Sequence, residues 1–126
     1  MSNLVKTTSY GTEKTILIAP ELAFTIPVQV TNTGITADAD GKKIIKAGTP
    51  IGGSTNVLEN RNTVLVVANG STAQGVILHD VDVTAGQENA EMVVAGYVDL
   101  NKIAVADQPV ADAKAALTKI TFMKGI

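Results

Sequence analysis

Glu91-Met92-Val93-Val94-Ala95-Gly96-Tyr97-Val98-Asp99-Leu100 is the stretch whose reading decides the fold. Branched and aromatic residues favour a pleated, half-buried chain, so this is the strongest strand of the sequence. Gly96 in its interior marks an expected β-bulge. Two further bursts upstream, Thr63 to Ala68 (TVLVVA) and Gln74 to His79 (QGVILH), are apolar enough to be buried strands. A polar turn around Asn69-Gly70-Ser71 joins them. Between this pair and Glu91, Val81 to Gln87 reads as a loop with strand character at its start.

Moving toward the N-terminus, Ala47-Gly48-Thr49-Pro50-Ile51-Gly52-Gly53 carries four punctuating residues. They argue against a regular element and for a close backbone approach. Lys42 to Lys46 leads into it from Thr36 to Gly41, whose Asp40-Gly41 pair suits a hairpin turn. Phe24 to Val30 alternates with period two, and Pro27, which lacks an N–H, marks an edge strand or a bulge. Thr15 to Ala19 is a shorter β-prone burst closed by Pro20. Met1 to Lys14 is polar and without periodicity, and is expected to be a mobile N-terminal arm ahead of a single domain at 15–126.

Beyond Leu100 one segment has helical spacing. Val110, Ala113 and Leu117 recur at i, i+3 and i+7, with Lys114 interrupting the stripe. Asp107 is the expected cap and Pro109 the expected first-turn residue. Thr121-Phe122-Met123 resumes as a last strand. The fold class is therefore α+β, mostly β: one compact domain with a short C-terminal helix.

Composition excludes several functions. With 10 Lys and Arg against 12 Asp and Glu, and no basic face, nucleic acid is not an expected partner. The absence of cysteine removes disulfides and thiolate metal sites. The longest apolar run, Val64 to Ala68, is too short to span a membrane, and the first ten residues hold no signal-peptide core. A soluble chain is expected. Only 17% of residues are charged and 45% are hydrophobic, which suggests apolar surface left over for self-association or docking.

Sites of chemistry are poorly supplied. His79 is the only histidine, and in extended chain it points away from Asp80 and Asp82. A zinc or catalytic centre needs convergent ligands or a nucleophile–base pair. The expected role of His79 is a strand end, with Asp80 or Asp82 taking backbone donors in the turn before Thr84-Ala85-Gly86. No Ser lies in a Gly-x-Ser-x-Gly elbow. The Gly48 to Gly53 stretch lacks the Lys-Ser/Thr of a phosphate loop. A calcium loop with Gly41 sixth would place Ala47 where a bidentate Glu belongs. The expectation is no enzyme activity, no catalytic residue, no metal and no cofactor.

Ala47 to Gly53 and Gln74 to Gly86 together resemble the head decoration proteins of tailed phages, the family related to the lambda-type decoration protein. Gly96 to Lys102 and Lys119 to Phe122 match as well, so the likeness covers roughly residues 44 to 122. The Gly75 to Asp82 core is its more specific part. The chain departs from the lambda-type protein over residues 15–35. The resemblance implies a β-tulip fold, a homotrimer, and docking on the major capsid protein at local three-fold axes of the expanded shell. It places the chain on the outer surface of the virion capsid after synthesis in the host cytoplasm. It further implies an N-terminal arm that orders by strand pairing with capsid segments. Leu4, Val5, Thr7, Thr8 and Tyr10 supply the β-permissive, capsid-binding side chains of that arm.

Two other functions compete. One is a base or anchoring domain of a capsid fibre or surface adhesin. The other is a small metal-dependent hydrolase built on His79 with Asp80 or Asp82, which would have to borrow ligands from elsewhere.

Overall fold

The computed structural model describes residues 16–124. The eight strands of the described chain are β1 (Phe24–Val30), β2 (Ile44–Ile45), β3 (Pro50–Gly52), β4 (Val64–Val67), β5 (Ala73–Ile77), β6 (Val81–Asp82), β7 (Glu88–Asp99) and β8 (Ile120–Met123). One short helix, α1 (Ala111–Ala116), lies between β7 and β8. The described residues are mostly β with a single short α-helix, as the sequence pattern implies.

The stretch that opened the sequence analysis is the spine of the sheet. β7 begins three residues before Glu91, and its first half pairs with two strands at once. β1 runs antiparallel along one side, with Ile26 opposite Met92 and Val30 opposite Glu88. β5 runs antiparallel along the other, with Val76 opposite Val93 and Ile77 opposite Met92. The remaining pairings, β5 to β3, β3 to β4 and β4 to β1, bring the sheet back to β1, so five strands close on themselves. Closure gives each of the five strands a partner on both sides over part of its length. The second half of β7 pairs in parallel with β8, Gly96 opposite Ile120 through Asp99 opposite Met123. β2 and β6 form a separate two-stranded ribbon.

Side chains alternate across β7 and β5, and both faces are buried where Val76 and Ile77 meet Val93 and Met92. Inside the ring, Ile26, Val28, Val30, Ile51, Leu65, Ile77 and Met92 pack together, and Ile45, Val57 and Val83 join them. On the outside, Val76, Val93 and Val98 pack against Ile16, Leu100, Ile103, Ala113, Leu117 and Ile120. A strand buried on both faces needs apolar residues at every position, which is why GVIL and MVV read as unbroken runs.

Four expectations are corrected. The register shift in β7 lies opposite Phe24 and Thr25, where Val94 is the extra residue, and not at Gly96. Gly96 has a φ of 140° and begins the pairing with β8, close to Ala23. Pro50–Gly52 is a short strand where no regular element is expected, opened by Pro50 and paired with β5 across a register shift, while the expected close backbone approach is met where Gly52 lies against Thr72. Thr15 to Ala19 yields only one isolated bridge among its described residues, Leu17 to Val98, before Pro20 opens a 3-10 turn. Asp107 closes an earlier 3-10 turn, and α1 starts from Val110, which is half exposed. Asn69 supplies the missing cap from another loop: its Oδ1 accepts the Val110 N–H at 2.9 Å.

Pro27 behaves as expected. Parallel pairing of β1 with β4 begins only at Gln29, so Pro27 has a strand on one side alone. Its carbonyl accepts from the Arg61 guanidinium at 2.8 Å.

Candidate functional site

Charged side chains gather where β5 ends. After Ile77 the chain leaves the sheet through Leu78, His79 and Asp80, then joins the separate ribbon as β6. Lys46 and Ala47 arrive from the turn after β2, and Lys102, Ala104 and Asp107 from the 3-10 turns after β7. Together with Ile16 these residues line one cleft. It carries two ammonium groups, two carboxylates and an exposed imidazole.

The carboxylates near this cleft act as fasteners. Asp80 Oδ1 accepts the Ala47 N–H at 2.8 Å. Lys46 Nζ stands 4.0 Å from the other Asp80 oxygen, with both side chains more than half exposed, so the pair contributes little. Asp82 accepts from the Thr84 hydroxyl and, at 2.9 Å, from the Thr84 N–H. Those two bonds, the hydroxyl first, hold its carboxyl below the ordinary aspartate range, and Lys42 adds to them against a small desolvation cost. Asp38 Oδ1 accepts from the N–H groups of Asp40 and Lys42, closing the turn in which Gly41 takes a φ of 78°. Of the two carboxylates expected to take backbone donors in the turn before Thr84, Asp82 does so, whereas Asp80 takes its donor from Ala47 in the turn after β2. The calcium-loop pattern around Asp38 and Asp40 is a closed turn, with Asp38 facing its own backbone.

Among the described residues no three His, Asp or Glu side chains converge as a metal ligand set would. His79 lies on the exposed end of β5 beside Asp80, and Asp82 turns to Thr84. The proposed capsid-binding side chains, Leu4, Val5, Thr7, Thr8 and Tyr10, lie outside the described residues.

Several large apolar side chains are exposed among the described residues. Leu22 and Phe24 are exposed at the start of β1, and Val105 is 84% exposed in a turn beside the cleft. Tyr97, Ile18 and Met123 are about two-fifths exposed around the second half of β7. Ile18 donates its N–H to the Tyr97 carbonyl at 3.0 Å, which places them side by side.

Sequence reasoning missed the amides. Gln74 and Asn69 each hold two or more backbone groups of distant segments, and Gln108 holds two carbonyls of the turns just before it. The only signal for them is a polar residue next to an apolar run, which does not reveal its partner. Neither a protein-family model nor a curated protein matches this chain.

Proposed function

We propose that this chain is a decoration protein of a tailed-phage head, a cement that binds the outside of the expanded shell as a homotrimer and performs no catalysis. One observation carries the reading. The four stretches that resemble the decoration family fall on β3, on β5 with β6, on the second half of β7 and on β8; the first two pair through β3 and β5, and the last two through β7 and β8. Val76, Val98, Leu100 and Ile120, from three of these stretches, share the outer core, which supports reading them as parts of one framework. The β-tulip and the capsid-binding arm belong to the same proposal.

Two physical features suit it. The acidic side chains near the cleft stabilise turns, as a passive clamp requires. The exposed Leu22, Phe24, Tyr97 and Val105 offer apolar area that assembly would remove from water. Three copies on a three-fold surface make the second and third attachments effectively intramolecular, so weak contacts add steeply.

The test is binding of purified protein to expanded heads that lack their decoration, with imaging of the decorated shells. The expected result is density at local three-fold axes. Deleting Met1 to Tyr10 should weaken binding by about tenfold or more per site, about 1.4 kcal/mol. Scattered monomers, or shells that never bind the full chain, would overturn the reading. A deletion variant that binds as tightly as the full chain would remove the arm from it.

A further inference from the structure

Asn69-Gly70 sits in the loop between β4 and β5, and Asn69 is engaged at both ends of its amide. Its Nδ2 donates to the Gln108 carbonyl at 2.9 Å, and its Oδ1 accepts the Val110 N–H at 2.9 Å. The side chain thereby fastens the loop to the start of α1, whose Ala113 and the following Leu117 are buried in the outer core. Gly70 is held too, its N–H donating to the Ala68 carbonyl at 3.0 Å.

We propose that Asn69 is a deamidation site gated by the fold, whose reaction loosens the α1 attachment irreversibly. An asparagine followed by glycine is chemically exposed, because no Cβ on the next residue shields its backbone nitrogen. The Gly70 nitrogen, having lost its proton to solvent base, attacks Asn69 Cγ and forms a C–N bond. The tetrahedral intermediate breaks its bond to Nδ2 and releases ammonia, leaving a succinimide. Water then adds to either ring carbonyl, and the ring C–N bond at that carbon breaks. The nitrogen recovers a proton, and residue 69 becomes aspartate or isoaspartate. The net change is one water consumed and one ammonia released.

In the native fold three hydrogen bonds oppose the first step: two fix the Asn69 amide on the 108–110 segment, and one directs the Gly70 N–H to Ala68. The attack therefore waits for local opening of the β4–β5 loop. The product cannot reclose the same way. An aspartate at 69 has no N–H for the Gln108 carbonyl and sets a negative oxygen against it. Isoaspartate also lengthens the backbone by one carbon. This inference is independent of the capsid reading.

The test follows deamidation of the full chain at one pH and temperature, native and unfolded in denaturant, with the modified asparagine located by peptide fragmentation. The unfolded chain should react at residue 69 about tenfold faster or more than the native one. Gly70→Ala is the control for mechanism. A Cβ there meets nothing within 4 Å, so the fold is kept while attack in the unfolded chain should slow. Asn69→Asp should melt several degrees lower. If that variant does not fold, naturally aged protein separated by charge gives the same comparison. Equal rates in native and unfolded chains, an unslowed Gly70→Ala, or an aged fraction as stable as fresh protein would each overturn the proposal.

Discussion

Gly75 has no side chain because Met92 occupies the space that one would need. A Cβ at Gly75 would lie 2.5 Å from Met92 Cγ and 2.5 Å from the Val93 carbonyl oxygen. Met92 is fully buried inside the ring, so it can retreat only by displacing the residues around it. At Gly52 the obstacle is backbone: a Cβ would fall 2.1 Å from the Thr72 carbonyl oxygen. Gly34 differs in kind. Its φ is 81°, but open space surrounds it, so alanine there meets conformational strain alone. Gly34→Ala should cost about 1–2 kcal/mol, the ordinary penalty for a left-handed residue. Gly52→Ala and Gly75→Ala should cost more, about 3 kcal/mol or beyond, because the strands must separate or the core repack. Urea unfolding of the three variants gives the order. A Gly52 variant as stable as the Gly34 variant would mean that β3 and β5 are farther apart than this geometry has them.

At the scale of elements, the strands were legible and their irregularities were not. Val64–Val67 announces itself by its β-branched residues, and Gly75 to Ile77 and Met92-Val93 by unbroken apolar runs where both faces are covered, properties that each strand carries alone. A bulge is a property of two strands. Nothing within Gln74 says that it is the extra residue between Ala73 and Gly75, since the shift is defined by Ile51 and Gly52 opposite. The start of α1 was misplaced for the same reason: its cap, Asn69, is supplied from 41 residues away. The charged turn around Asp82 was read correctly because donor and acceptor are two residues apart. Gln74 shows what the bulge is for. It donates to the carbonyls of Gly53 and Thr55, at 3.1 and 2.7 Å, and accepts the Val57 N–H at 2.8 Å. The loop so fastened delivers Val57, fully buried, to the interior. Gln74→Ala should destabilise by about 1–3 kcal/mol, since the half-buried groups lose their partners. Amide exchange at Val57 should accelerate by more than exchange in β7. An unchanged Val57 amide would show that the loop is held by its apolar contacts alone.

At the scale of the molecule, the described residues form two cores with one shared wall. Ile77 and Met92 face the ring interior, while their neighbours Val76 and Val93 face the outer core under α1. The same pairings, Val76 with Val93 and Ile77 with Met92, therefore belong to both. Loss of the outer core would expose one face of β5 and β7, and loss of the inner core would expose the other. Neither can melt while those strands keep their native surroundings, so the domain should unfold in one transition. Ile51→Ala in the inner core and Leu117→Ala in the outer core each remove a buried side chain and should cost about 2–5 kcal/mol. Both substitutions should lower the protection of the slowest β5 and β7 amides, each by its own full cost. Native-state amide exchange measures this directly, because amides that open only by global unfolding report the global free energy. The contrary result is specific. If Leu117→Ala frees α1 and β8 while the β7 amides opposite β1 keep their protection, the outer core is a separate unit resting on the ring.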